Sequence, residues 1–420
     1  MAATIAGHKG AEIISPITDP AISKIRFITY NNTMRVALLH DYLNQLGGGE
    51  RVLDTMMEMF PEAPIYTLFH DAKKTLNRYA GRVKETSFLD LPMARDNHRL
   101  FIPLMPIATN TMAVKDHFDV VISDSAGYAK GFHIDSHISR LASNTERQCK
   151  HIAYIHTPLR YAWEGGDYIA LKFKNQNSKI KIFVDFLLKP VMNYLKKWDY
   201  KTAQKPDILI ANSKFIAEKI KKYYDRDAEV IYPPVDTSKF FFQPPASHIS
   251  HPTSYYLAVG RLLHYKRFDL VIRAFAKLGL PLRIVGSGPD EIKLRLLAYK
   301  LNASNIRFWP HATDNDLQNL YNGANALIFP QVEDFGLVAA EAQMCGCPVI
   351  AYHVGGALEI IKDKKTGVFF DAQTPEAIIT AVNHFEKNTW DRKKIAESAQ
   401  RFSKENFKIS LAKMIEKTCG

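Results

Sequence analysis

Only four cysteines occur in 420 residues, at Cys149, Cys345, Cys347 and Cys419. Cys345 and Cys347 alone are close in sequence, with no second Cys or His pair beside them. That is not zinc-site spacing. The pair reads instead as two small buried residues at a helix end, and such sparse usage fits a reducing compartment. Long apolar runs are missing too. Stretches such as Ala326-Leu327-Ile328-Phe329 fall far short of the roughly 20 residues that a membrane span needs. The first ten residues hold one lysine and no apolar core, so no secretory signal is expected. A P-loop lysine, a full Gly-x-Gly-x-x-Gly, a zinc finger and an RNA-recognition signature are all lacking, which leaves P-loop, dinucleotide-binding and nucleic-acid readings without support.

Acidic residues are in deficit, 43 against 55 lysines and arginines, for a net charge of +12. An excess of this sign favours an anionic partner: nucleic acid, anionic lipid or a phosphorylated substrate. The rest of the composition, 46% hydrophobic and 23% charged, is that of a globular protein. At about 150 residues per domain the length predicts two to three domains.

Residues 1–33 show no helical or strand period and read as an N-terminal extension. From Met34 on, short apolar runs alternate with helical patterns. Val36–His40, Pro64–Leu68, Phe118–Ser123, His151–His156 and Asp207–Asn212 read as strands. Runs this short and continuously apolar suit parallel strands buried on both faces. The pattern breaks at 233–254, where five prolines lie among Ser, His and Thr. It then restarts, with strands expected at Tyr255–Val259, Leu282–Val285, Ile306–Trp309, Ala326–Phe329 and Pro348–Tyr352. Helices are expected over 268–277, 290–300, 314–322 and 336–345. Two successive βα halves predict an α/β chain of two Rossmann-like, doubly wound domains facing a cleft. The predicted division is 34–240, 241–402, and a helix at 403–420.

Five strand-to-helix loops carry the candidate chemistry, all on the edge where open α/β sheets bind ligands. The most informative runs Phe329-Pro-Gln-Val-Glu333-Asp-Phe-Gly336-Leu-Val-Ala-Ala-Glu341. Its helix start offers backbone N–H groups to a phosphate, and its carboxylates can accept hydrogen bonds from sugar hydroxyls. A capped surface helix with ordinary acids would read alike. Gly260-Arg261 with Lys266 joins a planar fork to a point charge, which suits a diphosphate. Gly286-Ser-Gly288 allows close backbone approach, to a ligand or simply within a turn. Gly47-Gly48-Gly49-Glu50 suits a phosphate or sugar lying against the backbone. His156 ends a strand, with Arg160 and Trp163 offering a polar site and an aromatic wall. Asp314 and Asp316 flank Asn315 at a helix start, where capping accounts for them.

Taken together, these segments resemble the retaining nucleotide-sugar glycosyltransferases of the GT-B fold, family 4, over about 34–415. The resemblance rests on the glycine loop, Gly260-Arg261 with Lys266, Gly286-Ser-Gly288, and Glu333 and Glu341 spaced E-x7-E. It implies a nucleotide-sugar-binding second domain and an acceptor-binding first domain, with the 403–420 helix returning to the first. Arg261 and Lys266 would bind the donor diphosphate with N–H groups near Gly336, Leu337 and Val338. Glu341 would hold the ribose, Glu333 the donor sugar, and His156 would reach the reacting carbon. Gly48, Gly49, Gly260, Gly286, Gly288 and Phe335 would line the donor site, and Phe308–His311 would frame the base. Arg160 and Trp163 would stand on the acceptor side. No metal or other cofactor is implied. Where many relatives have Glu-Gly-Phe-Gly, this chain has Glu333-Asp334-Phe335-Gly336; Asp334 either adds charge beside the diphosphate or caps the helix.

The segments YIHTPLRYAW and GRLLHYKRFDL look most like bacterial mannosyltransferases of O-antigen or exopolysaccharide assembly. GDP-mannose is then the expected donor and a saccharide, polyprenyl-diphosphate-linked in such enzymes, the acceptor. A UDP-sugar donor, a GT-B epimerase and a non-catalytic nucleotide-sugar binder are the alternatives. Residues 171–205 hold nine lysines and two aspartates among aliphatic and aromatic residues. That stretch suits an anionic membrane surface, or a core-facing helix with solvated lysines. A cytoplasmic protein peripheral to the inner membrane face is expected, with no nucleic-acid partner.

Overall fold

The computed structural model describes residues 34–134, 149–164, 178–244 and 254–419, with 178–188 as backbone only. The expected extension at 1–33 lies outside the described residues. Two sheets organise the rest. The first, all parallel, orders its strands β3(Val83–Thr86)-β2(Ile65–Thr67)-β1(Val36–His40)-β5(Val120–Ser125)-β7(Lys150–Ile155)-β8(Ile208–Ala211)-β9(Glu229–Val230). The second is β12(Ile306–Trp309)-β11(Leu282–Val285)-β10(Tyr256–Val259)-β13(Leu327–Phe329)-β14(Val349–Tyr352)-β15(Gly367–Phe370), again parallel. A two-stranded pair, β4(Ala113–Val114) and β6(His133–Ile134), stands apart.

Every residue of β1 and of β5 is buried, because helices cover both faces of the sheet. This is why the strands show no polar alternation. In each sheet the chain order reverses direction beside the first strand, between β1 and β5 and between β10 and β13. Loops leaving the carboxyl ends at such a point splay apart and open a crevice. The edge strand β3 alternates partial exposure with polar residues, and it was not foreseen for that reason.

The chain crosses between the sheets twice, and the crossings touch. Val235 N–H donates to Phe402 O at 2.8 Å, and Lys404 N–H donates to Val235 O at 2.9 Å. Val235 and Phe240 already pack in the core of the second sheet. After the helix Arg392–Ala399, the helix Lys404–Cys419 lies on the first sheet. There Phe407, Leu411, Ala412 and Ile415 are buried with Val52, Met56 and Tyr154, and Glu58 accepts from Lys404 and Lys408, each at 2.8 Å. Cys345 and Cys347 are free and fully buried at the end of the helix Leu337–Met344.

The returning helix is therefore part of the first core. Leu411 is 0% exposed, and Leu411→Ala should lower the unfolding free energy by about 2–5 kcal/mol. Urea denaturation measures this; a loss within the roughly 0.5 kcal/mol of a surface substitution would contradict the packing.

Candidate functional site

The glycine loop enters the cleft between two constraints. A Cβ on Gly48 would lie 3.1 Å from Leu337 Cδ1 of the second domain, and one on Gly49 would lie 3.6 Å from His156 Nε2. The loop thus passes close to the histidine, and at Gly48 a side chain would press on Leu337.

His156 follows β7 and sits in a buried polar chain. Its Nε2 is 2.5 Å from Asp124 Oδ1, and His40 Nδ1 is 2.9 Å from Asp124 Oδ2. His40 Nε2 lies 3.9 Å from Glu50. Asp124 is 0% exposed. Burial alone would raise its pKa, but His156 and His40 outweigh burial and bring it down to about 2. For His40, burial is likewise opposed by Asp124 and Glu50, which carry it up to about 10. His156 is raised too, Asp124 outweighing burial. A carboxylate facing Nε2 fixes a proton on that nitrogen and holds the ring's orientation. Glu50 was named only as the end of the glycine loop, and His40 and Asp124 were not singled out from sequence, though both lie at a strand's carboxyl end.

A cavity of about 660 Å3 opens at the carboxyl ends of β10, β11 and β12, lined by Gly260, Arg261, Gly286, Gly288, Pro310 and His311. Gln45 and Leu46 of the first domain close its other side, and Arg261 Nη1 donates to Gln45 Oε1 at 3.4 Å. The two glycines of Gly286-Ser-Gly288 serve the protein's own packing. A Cβ at Gly286 would lie 2.1 Å from Gly260 O, and one at Gly288 2.5 Å from Leu262 O. Close approach is required here between neighbouring loops.

The charged candidates are paired. Lys266 donates to Glu333. Glu341 accepts from Arg51, which stands on the facing helix Gly48–Met59, and lies 3.4 Å from the Tyr321 hydroxyl. Burial raises the Glu341 pKa, and Arg51 opposes it. Arg51 also lies 3.4 Å from Asp314, which accepts from Lys239 at 2.8 Å. The helix cap is Thr313, in a reciprocal box with Asp316, so Asp314 is free to reach across the cleft. Arg51 had no sequence signal of its own.

Three expectations change. Phe335 is buried against Tyr232 and Phe402; its ring belongs to the core, not the donor site. Trp163 stacks on Tyr223 at 4.7 Å and donates Nε1 to Asp199 at 2.7 Å, so its indole is committed to packing and forms no acceptor wall. Asp334 neither caps a helix nor faces the cavity. It accepts from Arg160 and, at 3.3 Å, from Lys219, while its carbonyl accepts from Ser213 Oγ at 2.6 Å. Arg160 is therefore drawn to the second domain. Gly336 is left-handed at φ 107°, and Leu337 and Val338 begin the helix behind it.

Two doubly wound domains that meet along the carboxyl ends of their strands define a GT-B fold. Anabaena HepE solved in complex with UDP superposes with a TM-score of 0.66 at 19% identity, over 91% of this chain and 100% of that one. Sucrose-phosphate synthase from Thermosynechococcus elongatus gives 0.63 at 16%, over 91% and 98%. Residues 46–239 match the model "Glycosyltransferase Family 4" and residues 240–402 match "Glycosyl transferases group 1". The chain belongs to the GT-B group 1 glycosyltransferase family. D-inositol 3-phosphate glycosyltransferase of Salinispora arenicola is 34% identical over 227 residues, covering 46% of this chain and 50% of that protein. The chain spans about half the length of the curated relatives it matches.

The buried histidine–carboxylate chain sets a pH dependence. A histidine raised from 6.5 to about 10 stabilises the fold fully below 6.5 and loses that effect as pH rises through 10. A carboxylate depressed from 3.8 to about 2 stabilises above 3.8 and loses that effect as pH falls through 2. The stability gap between wild type and Asp124→Asn should be widest between pH 3.8 and 6.5, where both contributions are complete, and narrow toward both limits. Urea unfolding across pH tests it; a gap independent of pH would contradict the assignment.

Proposed function

We propose that the chain is a retaining hexosyltransferase that moves mannose from GDP-mannose to a saccharide carried on a polyprenyl diphosphate, in surface-polysaccharide synthesis at the cytoplasmic membrane face. The observation that carries the transferase reading is the 660 Å3 cavity with Arg261 on its wall and His156 across the cleft. Arg261 and Lys266 would take the diphosphate, Glu341 the ribose and Glu333 the sugar. Lys266 and Glu333 are paired with each other, so a nucleotide sugar that reached them would insert between charges that now satisfy each other.

In this reading the acceptor attacks on the face the diphosphate leaves, and the departing oxygen takes the acceptor's proton. The chain supplies position and charge rather than a nucleophile, and no metal is invoked. His156, with Nε2 held by Asp124, would stand near the reacting carbon. A UDP-sugar donor is the second reading, favoured by the UDP bound in the Anabaena protein. The inositol-phosphate acceptor in the names of the Salinispora relatives suggests an anionic acceptor.

Binding and slow hydrolysis of GDP-, UDP- and ADP-sugars test the donor. GDP-mannose should bind most tightly; preference for a UDP-sugar would favour the second reading, and no binding of any would refute the class. Arg261→Ala should lower kcat/KM by about 10- to 100-fold, since a charge-assisted bond contributes roughly 1.5–3 kcal/mol. Unchanged turnover in a folded variant would remove Arg261 from the site.

A further inference from the structure

One stretch of the first domain turns apolar side chains outward. Leu100 is 76% exposed and Met93 63%, and Phe88, Leu91, Leu104 and Ile107 are exposed beside them. The stretch is firmly folded. It forms the short helices Pro92–Asp96, His98–Leu104 and Met105–Thr111, whose inward residues Ala94, Met105 and Ala108 are fully buried. Its carboxylates are neutralised, Asp90 by Arg95 at 2.6 Å and Asp96 by Lys74 at 2.5 Å. Six large apolar side chains exposed within one short stretch mark an interaction surface.

A basic row lies over the same core. The helix Ser178–Ala203 buries Leu195 and Trp198 in the cluster that holds Leu89, Ala94, Met105 and Ala108. Outward it exposes Lys189, Tyr194, Lys197, Tyr200 and Lys201. Among its described side chains the one carboxylate, Asp199, is fully buried against Lys130 at 2.5 Å. Of the basic stretch foreseen at 171–205, residues 171–177 lie outside the described residues. Lysines attract anionic head groups, tyrosines favour the interface, and apolar side chains insert below it.

We propose that this layer, the apolar stretch 88–107 with the lysine–tyrosine face of Ser178–Ala203, docks on an anionic lipid bilayer. Charge complementarity selects that occupant: the charged side chains exposed on the described part of this helix are all lysines, on a chain of net charge +12. The surface is tied to the cleft. His98 stacks on Tyr42 at 5.1 Å, and Asn44 Nδ2 donates to Arg95 O at 2.9 Å, one residue before Gln45 of the donor cavity. Docking would hold the cleft beside the bilayer, a role that rests on the lipid-linked acceptor proposed above.

Flotation with phosphatidylglycerol–phosphatidylcholine vesicles tests the surface. Wild type should co-float at low salt and dissociate at high salt. Leu100→Ser/Leu104→Ser/Ile107→Ser should reduce the bound fraction about tenfold, and Lys189→Glu/Lys197→Glu/Lys201→Glu should abolish binding. GDP binding and thermal melting should match wild type in both variants, since the changed side chains are exposed and outside the cavity. Wild type that ignores the vesicles at low salt, or a serine variant that floats like wild type, would overturn the proposal. GDP binding on the same preparations reports on the transferase reading separately.

Discussion

A carboxylate removed from water must find a partner, and the cleft of this protein is built around that requirement. Glu341 is 3% exposed and Asp124 0%, depths at which an unpaired charge costs several kcal/mol. Each has a cation against it, Arg51 for Glu341 and the two histidines for Asp124. Glu333 meets Lys266 and Asp334 meets Arg160. Two of these four pairs, Arg51–Glu341 and Arg160–Asp334, span the cleft, so pairing charges and bringing the domains together are one process. In the proposed reading a nucleotide sugar would exchange partners with Lys266 and Glu333.

The rest of the interface serves the same closeness. Gly48 leaves space for Leu337. Glu359 of the second domain accepts the Lys214 and Phe215 N–H groups at 2.8 and 3.0 Å, filling the N-terminus of the helix Lys214–Tyr224 with a negative charge. The two crossing segments are hydrogen-bonded at Val235. Val235 and Phe402 are buried in the second core, so the joint is packed as well as hydrogen-bonded.

The strands were legible because their environment leaves one signature. Burial on both faces yields runs such as Val36–His40, and five of the second sheet's six strands stand where those runs stand; β15 was not foreseen. Short or half-exposed strands, β3, β4, β6 and β9, carry no such run. Loop positions of site residues followed from strand ends, hence Arg261, His311, His156 and Glu333. Partners did not. Arg51 lies in the first turn of the helix Gly48–Met59, and only the juxtaposition of domains brings it to Glu341. Asp334 was visible as a departure from its relatives, but its role depends on Arg160, Lys219 and Ser213, all distant in sequence. Phe335 and Trp163 were misread because aromatic residues beside a site and in a core look alike along the chain.

The exchange of partners is tested most directly at Lys266 and Glu333. Calorimetric titration of GDP and GDP-mannose into wild type and Glu333→Gln would measure it. Removing the carboxylate frees Lys266 for the diphosphate, so GDP should bind Glu333→Gln more tightly than wild type, while GDP-mannose loses its advantage over GDP. Weaker GDP binding by a folded Glu333→Gln protein, with that advantage intact, would contradict the account.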